Sequence, residues 1–152
     1  MKSQFDKVYD LYAPMLYRVA FNYLKNKEDS EDVVQDIYIK WFRHISFQNE
    51  EHEKAWLLRC CHNLCKNNLK KWWKQNNTDQ FDLYYRKEKK DEFYYVSQLP
   101  EHLKMITYLH YYEGYTSQEI GHIMNKSDST IRTQLQQARA KMKEMIEGDR
   151  SE

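Results

Sequence analysis

The first half of the chain repeats apolar residues at steps of three and four positions, the period that lets a helix bury one face. One such stretch covers residues 5–24, and Pro14 inside it predicts a kink or a break just before the proline. A second covers residues 26–42, where Asn26 is a good N-cap and the acidic residues that follow it suit a first helical turn. A third helix is predicted from about residue 54 to residue 74.

The second half begins with a change of composition. Residues 75–96 mix charges and tyrosines without a clear period, and we interpret them as a linker with room for one helical turn near its end. Residues 99–100, Leu-Pro, start a new helix that Gly114 can end in the left-handed conformation. Residues 116–119 form a capping box at the start of a short helix. A last helix follows Ser127, with its apolar stripe at Ile131, Leu135, Ala138 and Met142.

These patterns predict an all-α chain with two small helical domains, residues 1–74 and 97–148, joined by the linker at 75–96. The chain has only 3 glycines and 2 prolines in 152 residues, which leaves few sharp turns and argues against an all-β fold. No apolar run approaches the roughly 18 residues of a membrane span, and the N-terminus has no signal-peptide pattern. We therefore expect no membrane insertion and a cytoplasmic location.

The C-terminal helices predict a helix-turn-helix from about residue 116 to residue 142. Gly121 lies midway along the first of them, where a large side chain would force the two helices apart, and Asn125 tolerates the left-handed geometry that such turns often need. The polar face of the second helix carries side chains that can contact base edges or phosphates. The predicted DNA-binding residues are Ser129, Thr130, Arg132, Thr133, Gln136, Arg139 and Lys141. The alternative is a helical hairpin with a solvated polar face.

The formal net charge is only +1, but the charges are unevenly spread. Residues 26–36 hold five acidic side chains against one lysine, whereas residues 54–74 hold six basic side chains and no acidic one. Opposite patches of this kind indicate partners of both signs. Asp32, Gln35 and Asp36 share one side of the second helix, which suits a basic partner helix. An ordinary solvated acidic face is the alternative.

Several short motifs occur in a definite order along the chain. Residues 29–38 read DSEDVVQDIY, which fits the pattern D-x-x-D-x-x-Q-[DE]-x-[FY]. Residues 55–59 read AWLLR, and HNL and a basic run follow them. The second half contains Leu-Pro at 99–100, EGYTSQEI at 113–120 and Ala-Arg at 138–139. In this order and spacing, the motifs resemble those of the extracytoplasmic-function (ECF) sigma factors, the smallest class of bacterial RNA polymerase sigma subunits.

The resemblance implies a promoter-specificity subunit with a sigma region 2 bundle in the first domain and a sigma region 4 helix-turn-helix in the second. Region 2 would bind the clamp helices of the polymerase β′ subunit, while region 4 would read the −35 element as duplex and contact the β flap. An anti-sigma factor is a further partner common in the family. The resemblance implies no catalytic chemistry and no cofactor for this chain. The implied polymerase-binding residues, which we name the acidic strip, are Asp29, Asp32, Gln35, Asp36 and Ile39.

The resemblance also implies that the loop at 46–54 and the helix after it read the −10 element. In this family a base of the non-template strand is flipped into a pocket formed by that loop, and a positive track holds the strand. Phe47 and Trp56 are candidate pocket walls, although Trp56 equally fits the core, and Trp72 and Trp73 suit packing as well as stacking. The implied −10 residues are Phe47, Trp56, Arg59, Asn63, Lys66, Asn67 and Lys70.

Two features stand apart from this interpretation. Asp128, near the start of the recognition helix, would repel phosphate but can accept a hydrogen bond from a cytosine amino group. Cys60, Cys61, His62 and Cys65 look like metal ligands, yet only Cys61 and Cys65 share a helix face. We therefore predict buried thiols rather than a metal site, with metal binding or redox sensing as the alternative.

A stand-alone helix-turn-helix regulator that does not need core polymerase is the first alternative for the whole chain. A helical interaction protein, for example one that sequesters another factor, is the second. The acidic helix and the basic loop and helix favour the sigma factor, because a simple regulator has no need of them.

Overall fold

The computed structural model describes residues 3–44, 46–75 and 91–150, and the side chains of all of these except 72–75. Within these ranges every regular element is an α-helix, which confirms the predicted fold class. The chain divides into two compact units, residues 1–77 and 78–152. None of the helices described is both long and apolar enough to cross a membrane.

The first unit is a bundle of three helices in mutual contact, α1 (Gln4–Leu24), α2 (Lys27–Arg43) and α3 (Glu50–Gln75). Each helix contributes side chains with no exposed surface at all, among them Leu16 of α1, Ile37 of α2 and Leu57 of α3. Burying one such side chain stabilises a fold by about 1.5–3 kcal/mol. The core of the unit therefore fixes which face of α2 and which face of α3 points outward.

Of the kink or break predicted near Pro14, the break is wrong, because α1 (Gln4–Leu24) is one continuous helix. Pro14 is exposed and deprives the helix of one backbone hydrogen bond. Val8 and Val19, on either side of it, are buried and keep both halves of the helix packed in the bundle. Packing thus outweighs the local cost of the proline.

Asn26 caps α2 as predicted, because its Oδ1 accepts from the Asp29 N–H at 2.8 Å. The residue before it, Lys25, has a left-handed backbone (φ 61°) that ends α1 and reverses the chain. The turn between α1 and α2 is therefore short, and the acidic first turn of α2 follows it at once.

Helix α3 begins at Glu50, about one turn earlier than the sequence predicted. Asn49 acts as its cap: the side-chain Oδ1 accepts from the His52 N–H at 2.8 Å, and the backbone carbonyl accepts from the Glu53 N–H at 3.1 Å. The predicted loop at 46–53 is consequently helical from residue 50 onward. Acidic side chains in the first turn add a favourable interaction with the helix dipole.

The second unit contains the helices α4 (Glu92–Ser97), α5 (Glu101–Tyr111), α6 (Ser117–Met124) and α7 (Asp128–Arg150). Its core joins Leu103 and Leu109 of α5 to Ile120 of α6 and Ile131 of α7, all with no exposed surface. Helix α5 ends before Gly114, whose φ of +73° is left-handed as predicted.

Helix α4 lies at the end of the stretch that the sequence predicted as a linker. Asp91 caps it by accepting from the Tyr94 N–H at 3.0 Å, and Val96 is buried where α4 packs on α5 and α7. Tyr95 also donates to the Asp149 carboxylate near the end of α7 at 2.9 Å. Residues 91–96 thus belong to the second unit, while the rest of the predicted linker, 76–90, lies outside the described residues.

Candidate partner-binding surfaces

The acidic strip lies on the outer face of α2. All five of its residues are exposed, while Val33, Val34, Ile37 and Tyr38 on the opposite face are buried. The Asp29 carboxylate accepts from the Asn26 side chain at 2.8 Å and so serves the helix cap as well. Three side chains of the strip make no hydrogen bond or ion pair to the rest of the described chain, namely those of Asp32, Gln35 and Asp36. Their polar groups are available to a partner.

Phe42 is the last residue of the apolar stripe predicted at 26–42, but it is exposed and extends the acidic strip. Its side chain is 62% exposed and that of Ile39 is 49% exposed. Phe42 stacks on Phe5 of α1, with ring centroids 4.9 Å apart, so the exposed ring is held in place. Positions 35, 39 and 42 are four and three residues apart, which places them on one face of a helix. This spacing is the sequence signal that could have assigned Phe42 to the strip. The strip therefore passes from carboxylates at one end to apolar side chains at the other.

Tyr38 anchors the buried face of α2 to α1. Its hydroxyl donates to the Val8 carbonyl at 3.1 Å, and burial raises the pKa of the phenol well above its usual range. The phenol stays neutral and bound at ordinary pH, which keeps the strip on the outside of the bundle.

An aromatic cluster lies at the loop before α3. Phe47 stacks face to face on His44, with centroids 4.2 Å apart and planes at 3°, and meets Trp56 edge-on at 5.4 Å. His52 closes the other side of Phe47 at 5.6 Å, and its Nδ1 accepts from the Gln48 N–H at 3.1 Å. Because Phe47 and Trp56 are in contact, no base can lie between them while the cluster stays closed.

An open cavity of about 470 Å³ lies beside this cluster. Phe47 lines it together with Trp41, His44, Ser46 and Asn49, whereas Trp56 supports Phe47 and is not part of the lining. The Trp41 indole donates to the Glu53 carboxylate at 2.9 Å, which ties the end of α2 to the first turn of α3. The cavity thus has aromatic walls and a polar rim, which suits a flat ligand with hydrogen-bonding edges.

The outer face of α3 carries the predicted basic track. Asn63, Asn67 and Lys70 are exposed, and Arg59 and Lys66 are partly exposed at the same helical spacing. The face opposite them is buried through Leu57, Leu58, Cys61, Cys65 and Leu69. Trp72 and Trp73 have side chains outside the described set, so their two predicted roles stay predictions.

The cysteines of α3 belong mainly to the core. Cys61 and Cys65 are fully buried, and the Cys61 thiol donates to the Leu16 carbonyl of α1 at 3.6 Å. A hydrogen bond with Cys65, followed by burial, raises the pKa of Cys61, and burial raises that of the partly exposed Cys60. His62 faces α1 instead, where its Nδ1 lies 2.6 Å from the Tyr23 hydroxyl. Cys61 and Cys65 therefore contact each other, whereas His62 contacts α1.

The turn of the helix-turn-helix is built as the sequence predicted. Thr116 and Glu119 form the capping box of α6, and Asn125 adopts the left-handed conformation at φ 57°. A Cβ at Gly121 would stand 2.5 Å from the Lys126 carbonyl oxygen. The close neighbour is thus the backbone of the turn rather than a side chain of α7. The Lys126 N–H donates back to the Gly121 carbonyl at 2.8 Å, which locks the turn.

The polar face of α7 presents the predicted DNA-binding residues. All seven are exposed, and Ile131, Leu135 and Ala138 are buried on the other side. At about 100° per residue, Ser129, Arg132, Thr133 and Gln136 share the centre of the face, whereas Thr130 and Lys141 lie to one side. The Thr130 N–H donates to the capping Ser127 hydroxyl at 3.2 Å, and that hydroxyl donates to the Thr130 Oγ1 at 2.8 Å.

Asp128 has partners that the sequence did not predict. The Ser117 hydroxyl donates to one carboxylate oxygen, and the Arg132 Nε lies 3.3 Å from the other. Both partners come from the helix-turn-helix itself, so the carboxylate is engaged before any base approaches. A contact across two helices of this kind is invisible to local sequence patterns.

Comparison with known families covers both units. Residues 8–75 match Sigma-70 region 2, and residues 94–142 match Sigma-70, region 4. Together these matches span well over half of the chain. They occur in family order and include the acidic strip, the aromatic cluster and the helix-turn-helix.

Individual relatives of the chain are also sigma factors. The chain is 25% identical over 150 residues to the ECF RNA polymerase sigma factor SigM of Bacillus subtilis (strain 168), covering 91% of this chain and 92% of the relative. It is 27% identical over 130 residues to the RNA polymerase sigma factor SigV of the same organism, covering 80% of this chain and 78% of the relative.

A solved structure with a similar fold is that of the sigma factor RpoE in complex with the anti-sigma factor NepR from Bartonella quintana. The TM-score is 0.71 at 19% identity, over 95% of this chain and 97% of the other. At this identity the likeness concerns the fold.

A stand-alone regulator would account for the helix-turn-helix but not for the region 2 match in the first unit. That alternative is therefore not favoured. The two units match two sigma regions, and the sequence motifs follow the same order. The chain belongs to the sigma-70 family and is an ECF-type RNA polymerase sigma factor, a subunit that directs core polymerase to promoter DNA and initiates transcription.

Proposed function

We propose that three separate surfaces of this chain divide the work of a sigma factor. The acidic strip on α2 binds the clamp helices of the β′ subunit, the loop before α3 and the outer face of α3 bind the −10 element, and α7 binds the −35 element. The observation that carries the proposal is the exposure of Asp32, Gln35 and Asp36 on a helix whose opposite face is buried. A helix oriented in this way leaves these polar groups accessible to a partner.

The composition of the strip suits a basic helical partner with an apolar edge. Asp32 and Asp36 lie one turn apart and can each pair with a cation, while the Gln35 amide both donates and accepts. Ile39, 49% exposed, and Phe42, 62% exposed, supply apolar contact area at one end. Exposed apolar side chains beside a charged patch are typical of interface centres with polar rims.

The −10 element would be held by the cavity beside Phe47 and by the α3 face. A flipped base can stack against the aromatic lining and meet the polar groups of Ser46 and Asn49 at the rim. Trp56 then acts by supporting Phe47 rather than as a second wall. From the cavity, Arg59, Asn63, Lys66, Asn67 and Lys70 continue along α3 as a track for the unpaired strand.

The −35 element would be read as duplex by the exposed face of α7. Arg132 is suited to guanine, Gln136 to adenine, and Ser129 and Thr133 to either. Arg139 and Lys141 suit phosphates. The second unit would also contact the β flap, and an anti-sigma factor would be a further partner, as it is for the structurally similar RpoE. We expect no catalytic activity from the chain itself and action in the cytoplasm, where RNA polymerase works.

Reversing the charge of the acidic strip tests the proposal most directly. In the variant Asp32→Lys/Asp36→Lys, like charges would face a basic partner, so we expect co-elution with core polymerase to be lost. Both residues are exposed, so the circular dichroism spectrum and melting temperature should stay close to those of the parent.

The matched control is Glu144→Lys/Glu147→Lys, which makes the same charge change at exposed positions of α7. This variant should still co-elute with core polymerase. Unchanged co-elution of the Asp32→Lys/Asp36→Lys protein would refute the assignment of the strip, whereas loss in both variants would mean that only the total charge matters.

A further inference from the structure

Ser117, Asp128 and Arg132 form a chain of contacts at the start of the recognition helix. The Ser117 hydroxyl donates to Asp128 Oδ1, and the Arg132 Nε forms an ion pair with Asp128 Oδ2 at 3.3 Å. Ser117 is the first residue of α6 and Asp128 is the first residue of α7. The contacts therefore run from one helix of the motif to the other and end on an exposed arginine of the DNA-binding face.

The contact with Asp128 restricts what Arg132 can do. A guanidinium is planar and carries five N–H donors, one on Nε and four on the two terminal nitrogens. Because Nε is the nitrogen that pairs with Asp128, the two terminal nitrogens remain for a partner, and such a pair matches the O6 and N7 acceptors of guanine. The Arg132 side chain is 64% exposed, so without this contact it would have wide rotamer freedom to lose on binding DNA.

The negative charge of Asp128 also favours base reading by Arg132 over contact with phosphates. A carboxylate beside the major groove repels phosphates, and pairing it with Arg132 also weakens the attraction of that arginine for the backbone. Asp128 thus lowers affinity for DNA in general. A residue that lowers general affinity while orienting a base-reading side chain favours discrimination between sequences.

We propose that Asp128 and Ser117 are positioning residues that hold Arg132 for an end-on contact with a guanine of the −35 element. The proposal rests on the proposed role of Arg132 in reading that element. Ser117 fixes the carboxylate, the carboxylate fixes Nε, and the terminal nitrogens face the groove.

The test uses holoenzyme, reconstituted from core polymerase and the full chain, on promoters randomised through the −35 element. The Arg132→Ala variant identifies the base pair that Arg132 reads, because preference there should fall about 5-fold or more. Asp128→Ala should reduce preference at that same base pair by about 3-fold or more and leave the other −35 positions unchanged. Ser117→Ala should act in the same sense but more weakly, and Ser117→Thr, which keeps the hydroxyl, should restore the parent preference.

Binding to promoterless DNA separates positioning from a purely structural role. Asp128→Ala removes a negative charge and releases Arg132 to phosphates, so non-specific affinity should rise and its salt dependence should steepen. Arg132→Ala should lower non-specific affinity. Glu144→Ala is the matched control: it removes one exposed carboxylate from the same helix, about 24 Å along the axis, and should leave base preference unchanged.

Each other outcome overturns the proposal in a recognisable way. If Arg132→Ala changes no −35 preference, Arg132 does not read the element, and the proposed role falls together with the positioning. If Arg132→Ala removes the base preference at one −35 position but Asp128→Ala does not, Arg132 reads that position and the positioning role of Asp128 is refuted. If Asp128→Ala weakens all positions and non-specific binding together, the contact is only structural, and Asp128→Asn, which keeps an acceptor for Ser117, should then recover most of the loss.

Discussion

Gly121 shows how closely a single residue can determine the geometry of a DNA-binding motif. A methyl group at this position would lie 2.5 Å from the Lys126 carbonyl oxygen, and that oxygen belongs to the backbone of the turn. Neither atom can move away without shifting the turn, and the start of α7 follows the turn directly. The Gly121→Ala variant should therefore lose about 1–3 kcal/mol of unfolding free energy. Denaturant unfolding followed by circular dichroism measures this loss.

Gly148 offers the control for that substitution. It lies in α7, and a Cβ there would meet nothing within 4 Å. Gly148→Ala should stabilise the protein by about 0.5–1 kcal/mol, because alanine has less backbone freedom to lose in a helix. If both substitutions had the same effect, the close approach at Gly121 would not be what constrains the residue.

Some residues of the sites were predictable because their roles depend on neighbours in sequence. The caps at Asn26 and Thr116 and the left-handed Asn125 follow from local chemistry, and all three are confirmed. Phe42 was misassigned because an apolar stripe does not specify how wide the buried face is, and the contact that holds it comes from Phe5. The partners of Asp128 likewise depend on how α6 meets α7.

At the scale of elements, the period of apolar residues was enough to identify the long helices but not all of their ends. Helix α3 starts early because Asn49 caps it, and a cap inside a polar stretch gives no periodic signal. Helix α4 has only 6 residues, and its stability comes from Val96 packing on α5 and α7. Such a short helix is not stable alone, so the sequence around it resembled a linker.

The early start of α3 bears on the cavity at the −10 surface. The first turn of α3 carries His52 against Phe47 and Glu53 against Trp41. Asn49→Ala removes the acceptor of the His52 N–H and should destabilise the protein by about 1 kcal/mol. It should also slow promoter opening, since the turn that holds Phe47 would fray, and permanganate footprinting of the −10 region measures this effect.

Gln48→Ala is the control for the cap. The Gln48 contact with His52 uses its backbone N–H, which an alanine retains. This variant should keep both the stability and the opening rate of the parent. If Asn49→Ala opened promoters at the parent rate despite the lost stability, the first turn of α3 would have no role in holding the −10 base.

At the scale of the whole molecule, the near-zero net charge conceals surfaces of opposite sign with separate partners. The acidic residues concentrate on α2, while basic residues follow along α3 and α7. We expect core polymerase and promoter DNA to use largely different surfaces, which meet at Phe42, because Phe42 ends the strip and also lines the cavity beside Phe47. Variants of the strip should affect complex formation with core polymerase, and variants of the proposed DNA-facing residues of α3 and α7 should affect the promoter steps.

The dependence of promoter binding on salt provides the last prediction. Each phosphate neutralised by a cation adds about 0.9 to the slope of log affinity against log salt concentration on duplex DNA, and about 0.7 on a single strand. Lys70→Ala should thus reduce the slope for the open holoenzyme–promoter complex by about 0.7, because the α3 track holds the unpaired strand. Lys7→Ala removes an exposed lysine from α1 and should leave the slope unchanged. An equal reduction in both variants would mean that the chain responds to total charge, and no reduction with Lys70→Ala would remove that lysine from the track.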